Sequence, residues 1–467
     1  STPETFAAIN AHISKVGALT LDGTSAKISD FLAPGAQISV FPSQDGKAIL
    51  ANIPLDGNSL SKVLPNDKPV LPELIAALRA DIAPIAKANG LDPYVTGPGG
   101  LLGDLFGAFG DIDSKLLLTT LAVVAIILIF VYRSPILWII PLLSSLFALS
   151  TAGGIVYLLA KNDIIDVDGQ SQGILSVLVI GAATDYALLL IARYREELHL
   201  HESRFDAMKS AYKGVWEPIL ASGSTVAISL LVLLFSQLTN TAGLGPVGAI
   251  GIVCAMFTIL TLLPALLLLF GRWIFWPRRP HFDGDDHVMT GAWSKLANGI
   301  GRNPRKAWVV TGSVLLLFAF ASTTLKADGL GTVDTFTGNP ESVVGQKLLV
   351  THFPGGEGDP TQIVVAVDKI EAVTAAVKNA PGVTQIVPFV DPMTKVMKVV
   401  NNRAILNVTL DKAPDSVEAS NDIPKIRELA KAADETSLVG GTSAVYNDVR
   451  NANNRDNRTI IPIILFV

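Results

Sequence analysis

The sequence predicts a polytopic α-helical membrane protein with two α+β domains on the extracytoplasmic side, organised around an internal repeat. Three observations predict it: apolar stretches long enough to cross a bilayer, a one-sided distribution of Lys and Arg among the short loops, and two polar segments that share a pattern. Composition agrees. Only 16% of the 467 residues are charged and 49% are hydrophobic, whereas soluble domains run near about 25% charged. The net charge of −5 gives no support to nucleic-acid binding. Cys254 is the sole cysteine, so there is no disulfide framework and no cysteine metal cluster.

Six stretches can cross a hydrocarbon core of roughly 30 Å: 116–132, 136–160, 174–192, 218–235, 246–270 and 307–325. A seventh begins near Thr459. The chain opens without Met and closes inside an apolar run, and we expect it to be cut at both ends. Arg133 and the segments 193–213 and 272–306 carry 13 Lys and Arg, while the alternate loops 161–172 and 236–245 carry only Lys161. Basic loops face the cytoplasm. The expected order is then a first extracytoplasmic domain (1–113), spanning helices (114–271), a cytoplasmic linker (272–306), a span (307–325), a second extracytoplasmic domain (326–458) and the start of another helix (459–467). Trp273, Phe275 and Trp276 beside Arg278 and Arg279 read as an interfacial aromatic belt.

Small residues recur every four positions at Ser144, Ala148 and Ala152, at Gly245 and Ala249, and at Gly251 and Ala255. That spacing lets helices approach closely in lipid, although apolar helices are rich in Ala and Gly in any case.

The two polar segments repeat each other. Ala86-Lys87-Ala88 recurs as Ala430-Lys431-Ala432, an offset of 344, and the same offset pairs Val95 with Val439, Gly97 with Gly441 and Asp104 with Asp448. Both copies read as a strand (48–55, 404–410), a helix (71–89, 420–433) and a second short strand leading into a span. In the second copy, strands 361–367 and 385–390 flank a further helix at 369–380. Alternating strands and helices predict helices on one face of a sheet. Transporters are commonly built from such repeats, with the pathway between them.

Within the six spans the one Asp, Glu, Lys, Arg or His is Asp185. It lies eight residues before Arg193, about 12 Å inside the boundary at a rise of 1.5 Å per residue. Its side chain is too short to reach water from there. Placing it there costs about 2.5–3.5 kcal/mol, and such residues face a bundle interior or a water path. A carboxyl group withdrawn from water favours its neutral form, the property a proton carrier needs. The bland reading is an Asp that bonds a neighbouring helix. Tyr186, beside it, is suited to hydrogen-bond a carboxylate on a facing helix. Ser222, Thr225 and Ser229 fall on one face of the next span and, with Thr184, mark a candidate hydrated path. Against that stands the tendency of hydroxyls in lipid to bond their own i−4 carbonyls.

Other signals are weaker. His281, Asp283, Asp285, Asp286 and His287 have metal-ligand residue types but sit in a loop flanked by Gly and Pro, and read as solvated. The segment 194–213, with Leu198, Phe205, Met208 and Tyr212 on one face, reads as a helix lying along the cytoplasmic surface, and the segment with Trp293, Leu296 and Ile300 reads the same way. No P-loop, Gly-x-Ser-x-Gly or His-Glu-x-x-His pattern is present, so ATP-driven transport and hydrolysis have no support, and no cofactor is expected.

The run Gly181-Ala182-Ala183-Thr184-Asp185-Tyr186-Ala187-Leu188, continuing through Arg193-Tyr194-Arg195-Glu196-Glu197, resembles the fourth transmembrane helix of the MmpL branch of the resistance–nodulation–division superfamily. Tyr132-Arg133-Ser134-Pro135, Gly243-Leu244-Gly245-Pro246 and Leu262-Leu263-Pro264-Ala265 are similar to that branch in actinobacteria. The resemblance implies that the visible spans are the second to seventh of twelve and that the two polar domains are porter-like. It implies export, driven by proton-motive force, of lipids, lipid-linked envelope precursors, siderophores or drugs across the bacterial plasma membrane. It also implies that Asp185 and Tyr186 bond to a matching Asp-Tyr pair on a tenth helix. Substrate identity and oligomeric state do not carry over.

The expected function is therefore a proton-coupled exporter of a lipid or other amphiphile, with Asp185 and Tyr186 as the proton relay. Its partners would be protons, membrane lipids and the exported molecule. The rivals are a lipid-sensing or signalling membrane protein of the same architecture, in which Asp185 is structural, and an auxiliary of protein translocation.

Overall fold

The computed structural model describes residues 3–33, 38–43, 45–60, 62–66, 68–282, 292–322, 324, 336, 338–353, 359–390 and 396–467. The metal-like residues Asp283, Asp285, Asp286 and His287 lie outside them. Two compact units emerge: a polar one from Ser1–Gly110 with Asp328–Asn451, and an apolar one from Asp111–Ala327 with Ala452–Val467.

In the polar unit, α1 (Pro3–Ile13), the hairpin β1 (Ser39–Pro42) and β2 (Ile49–Asn52), the single turn α2 (Gly57–Leu60) and α3 (Val70–Ala88) surround one core. The buried positions of α3, Leu71, Leu74, Ile75 and Leu78, keep the helical period and fill that core with Ile9, Val16 and Ile28. A second core lies under an antiparallel sheet of β3 (Thr361–Ala366), β4 (Val383–Pro388), β5 (Val399–Val400), β6 (Arg403–Leu410) and β7 (Leu438–Gly440), in the order β4-β6-β3-β7 with β5 also on β6. Strict alternation in β6 sends Ala404, Leu406, Val408 and Leu410 inward, against α12 (Ile370–Val377) and α13 (Val417–Ala433). Asn401 and Asn402, with φ of 49° and 59°, form the two-residue turn joining β5 to β6. Asn tolerates that left-handed backbone better than most residues.

Two findings go beyond the expected repeat. The two polar segments, each with its own core, meet in one compact unit. α11 (Glu341–His352) brings the second onto the first: Val95 N donates to Glu341 Oε1 at 2.9 Å, Thr96 Oγ1 donates to the Ser342 carbonyl at 2.7 Å, and His352 Nδ1 meets Asp45 Oδ2 at 2.7 Å. The strand–helix–strand repeat fails. β2 pairs with β1, whereas β6 pairs with β3, β4 and β5, so the strand orders differ. Residues 91–96 of the first copy form no strand. Pro93 cannot donate to a ladder, and the N–H of Val95 is taken by Glu341.

What the copies share is smaller. α4 (Gly97–Tyr132) and α14 (Thr442–Phe466) each begin beside a glycine of positive φ, Gly97 at 76° and Gly441 at 95°. A Cβ at Gly441 would lie 2.9 Å from the Pro360 carbonyl oxygen, so only glycine fits there.

The apolar unit centres on α5 (Ile139–Lys161), α6 (Gly169–Leu200), α7 (Arg204–Leu231) and α8 (Thr239–Phe270), with α8 packed against the other three. A single 3₁₀ turn, Val232–Phe235, extends α7, and another, Gly271–Phe275, extends α8. Among the described residues, five helices are long and apolar enough to span a membrane: α5 to α8 and α10 (Pro304–Ser322). The apolar part of α4, Leu116–Tyr132, is shorter. Ser144, Ala148 and Ala152 are fully buried in α5. A Cβ on Gly251 would lie 2.5 Å from Leu175 Cδ1 and 2.7 Å from Val179 Cγ2, so that glycine sets how closely α8 meets α6. α9 (Ala292–Arg302) leaves Leu296 and Ile300 exposed on one face.

The surface helix expected at 194–213 does not form. α6 runs on to Leu200 and α7 starts at Arg204, so these residues prolong two spanning helices. Leu198 and Met208 are buried in the apolar core, while Phe205 is exposed. The guanidinium of Arg272 donates to the carbonyls of Leu198, His201 and Glu202, and this closes the end of α6 where the chain turns.

Candidate functional site

The candidate residues sit midway along α6. Asp168 caps its start by accepting from Ser171 N at 2.6 Å, an arrangement that satisfies a free N–H of the first turn. Further on, Val179, Ile180, Ala183, Ala187, Leu190 and Ile191 face the bundle core. Ile174, Val177, Gly181, Asp185, Leu189 and Ala192 recur at spacings of three and four on the opposite side and are exposed. Asp185 thus lies on an uncovered stripe of a spanning helix, with nothing near the Cβ position of Gly181 one turn before it.

Tyr186, one position on and so about 100° around the helix, is buried. The Ser222 hydroxyl of α7 lies near its own, and the carboxylate of Asp185 acts on it electrostatically. The neighbour that this chain gives Tyr186 is therefore a hydroxyl on the next helix. Thr184 is buried and donates to its own backbone, at 2.7 Å to Ile180 O and 2.9 Å to Gly181 O. That is the local bonding usual for hydroxyls in apolar helices. Ser222 and Thr225 are exposed and Ser229 is half-buried on α7. The structure brings Asp185, Tyr186 and Ser222 together and turns the Thr184 hydroxyl into its own helix.

The model of the MMPL family matches residues 5–307 and 337–467. This chain belongs to the MMPL family. The MMPL chain is 44% identical over 399 residues to "Putative membrane protein ActII-3" of Streptomyces coelicolor, covering 85% of this chain and 55% of that one. It is 30% identical over 408 residues to an "Apo-petrobactin exporter" of Bacillus anthracis, covering 81% and 53%. It is 31% identical over 292 residues to "Probable transport protein MmpL9" of Mycobacterium tuberculosis, covering 62% and 29%. The first two matches span about half the length of those relatives. Family and apolar helices together make this a multi-pass membrane protein.

One site escaped the sequence. Asp456, 5% exposed on α14, accepts from Ser236 Oγ at 2.5 Å and from Gln237 N at 3.1 Å, just before α8 begins. Its carboxylate ties α14 to the α7–α8 turn. The available signal was an acid three residues before the apolar run at Thr459, next to Arg455 and Arg458.

Proposed function

We propose that this MMPL chain is the greater part of an exporter that moves a lipid or other amphiphile out of the cell and draws its energy from proton movement through Asp185. One observation carries the reading: a single carboxylate within the spanning stretches, on an exposed face of α6, beside a buried tyrosine that neighbours Ser222 of the adjacent helix. A charge so placed is costly unless it faces water or a partner. A helix bearing a matching acid, as the family resemblance implies, would close over the stripe of Gly181 and Asp185. Ser222 and Thr225 would line the path between that stripe and water. The names of the relatives, an exporter and a transport protein, support export.

In this reading the basic ends of the helices are cytoplasmic and the polar unit is extracytoplasmic. Reporters at Ser203 are then shielded in intact cells, and reporters at Asn58 and Asn379 are accessible. The functional test is export of a fluorescent lipid from vesicles holding the full-length protein, with an imposed pH gradient as the sole energy source. Asp185→Asn is expected to lower gradient-driven export at least tenfold while insertion and folding persist, since Asn fills the same volume and cannot carry a proton. Wild-type export by that variant would end the proposal.

A further inference from the structure

Three basic residues at one end of the apolar unit stand out by what they lack. Arg133 follows α4, Arg195 lies on the last turns of α6, and Arg278 follows the 3₁₀ turn after α8. Hydrogen bonds hold these three segments together. Ser134 Oγ donates to the Ile274 carbonyl at 3.0 Å, and Arg272 reaches the Leu198 and His201 carbonyls at 2.8 and 2.6 Å. The charges that act on the Arg195 guanidinium are those of Arg278 and Arg133. Among the described residues none of the three guanidinium groups has a hydrogen-bond or ion-pair partner. Arg193, two residues before Arg195, shows the contrast: it is neutralised by Glu196 at 2.9 Å and Glu197 at 2.7 Å.

Like charges drawn together, one of them half-buried, raise the energy of the folded chain unless an anion joins them. Trp273 and Trp276 stand exposed beside the cluster, as aromatic rings do at the level of lipid headgroups. We infer that Arg133, Arg195 and Arg278 form a binding site for the phosphate of an anionic membrane phospholipid, with Trp273 and Trp276 resting against its glycerol and acyl chains. Guanidinium groups match phosphate oxygens in fork geometry. Basic pockets between spanning helices are a known mode of headgroup recognition. A positive-inside bias accounts for how many basic residues lie on this side. It does not account for three segments placing theirs together with no partner carboxylate among the described residues. The inference does not depend on proton coupling.

The test uses the full-length protein, with lipid retention read by native mass spectrometry during titration with phosphatidylglycerol, phosphatidylcholine or inorganic phosphate. Wild type is expected to retain phosphatidylglycerol at least tenfold more tightly than phosphatidylcholine, and millimolar phosphate is expected not to displace it. The preference should fall roughly fivefold for each of Arg133→Gln, Arg195→Gln and Arg278→Gln. The control Arg305→Gln/Lys306→Gln, which removes two basic charges elsewhere in the chain, should leave it unchanged. Equal retention of the two lipids by wild type would overturn the site whatever the variants do. Displacement by free phosphate would overturn the lipid as its occupant. An equal loss in the control would reduce the effect to net charge and overturn the site as well.

Discussion

Asp104 and Asp448, 344 residues apart, each accept both arms of an arginine fork from the preceding amphipathic helix. Arg79 reaches Asp104 at 2.6 and 2.8 Å, and Arg427 reaches Asp448 at 2.5 and 2.8 Å. Both acids sit seven residues after a glycine of positive φ that opens a helix running into an apolar segment. The arginines are offset by 348, one helical turn more, so the same contact is built from neighbouring turns. Although the sheets of the two copies differ, this bracket recurs.

The two forks should not weigh equally. The Asp104 side chain is 13% exposed and also accepts from Ser342 N, whereas that of Asp448 is 57% exposed. Asp104→Asn is expected to destabilise the protein by about 2–3 kcal/mol, the range for a charged hydrogen bond withdrawn from water. Asp448→Asn should cost about 1 kcal/mol or less. Thermal unfolding of each variant in the same detergent checks the order.

Acid should act through the same pair. Burial pushes the Asp104 carboxyl up, but the Arg79 fork and Ser342 more than offset it and hold it below the usual carboxylate range. The Arg427 fork does the same for Asp448. A depressed carboxyl contributes stability that is fully present above its unfolded pKa, about 4, and is lost as pH falls through the folded value. Stability is therefore expected to be flat in these two groups from neutral pH to about 5 and to decline below about 4. Wild type and Asp104→Asn should converge in that acid range when unfolding is followed against pH.

Helix contact in the apolar unit gives a third expectation. Gly251→Ala pushes a methyl group into Leu175 and Val179 and should destabilise by about 1–3 kcal/mol. Gly153→Ala and Gly154→Ala meet no heavy atom within 4 Å and should be neutral or slightly stabilising, since alanine favours helix. Thermal unfolding in detergent separates the two classes.

Asp456 is expected to couple to Ser236. Asp456→Ala leaves Ser236 Oγ and Gln237 N without their acceptor and should cost about 1–3 kcal/mol. Once Ser236→Ala is in place, the same change should cost less. A double-mutant cycle measures the difference, and strict additivity would mean that the contact contributes nothing.

The spans and Asp185 were legible because hydropathy and an isolated charge are local properties. Helix lengths were not. α4 starts at Gly97 and α6 continues to Leu200, because polar residues extend a helix once its apolar part is fixed in place. The missing strand at 91–96 and the union of the two polar segments both depend on Glu341, 246 residues from Val95, and no local pattern reports such a contact. The Tyr186–Ser222 pair was half legible: Ser222 was assigned to a polar face, but nothing in the spacing directed it to the tyrosine. Asp456 resembled any other acid of a polar segment until α14 placed it against the turn before α8.

The most direct measurement of the central claim is proton movement itself. Full-length protein is reconstituted into vesicles holding a pH-sensitive dye, a fluorescent lipid is supplied, and internal pH is followed for wild type and Asp185→Asn. The account predicts lipid-dependent proton flux in wild type and none above protein-free vesicles in the variant. Proton flux at the wild-type rate through Asp185→Asn would contradict it.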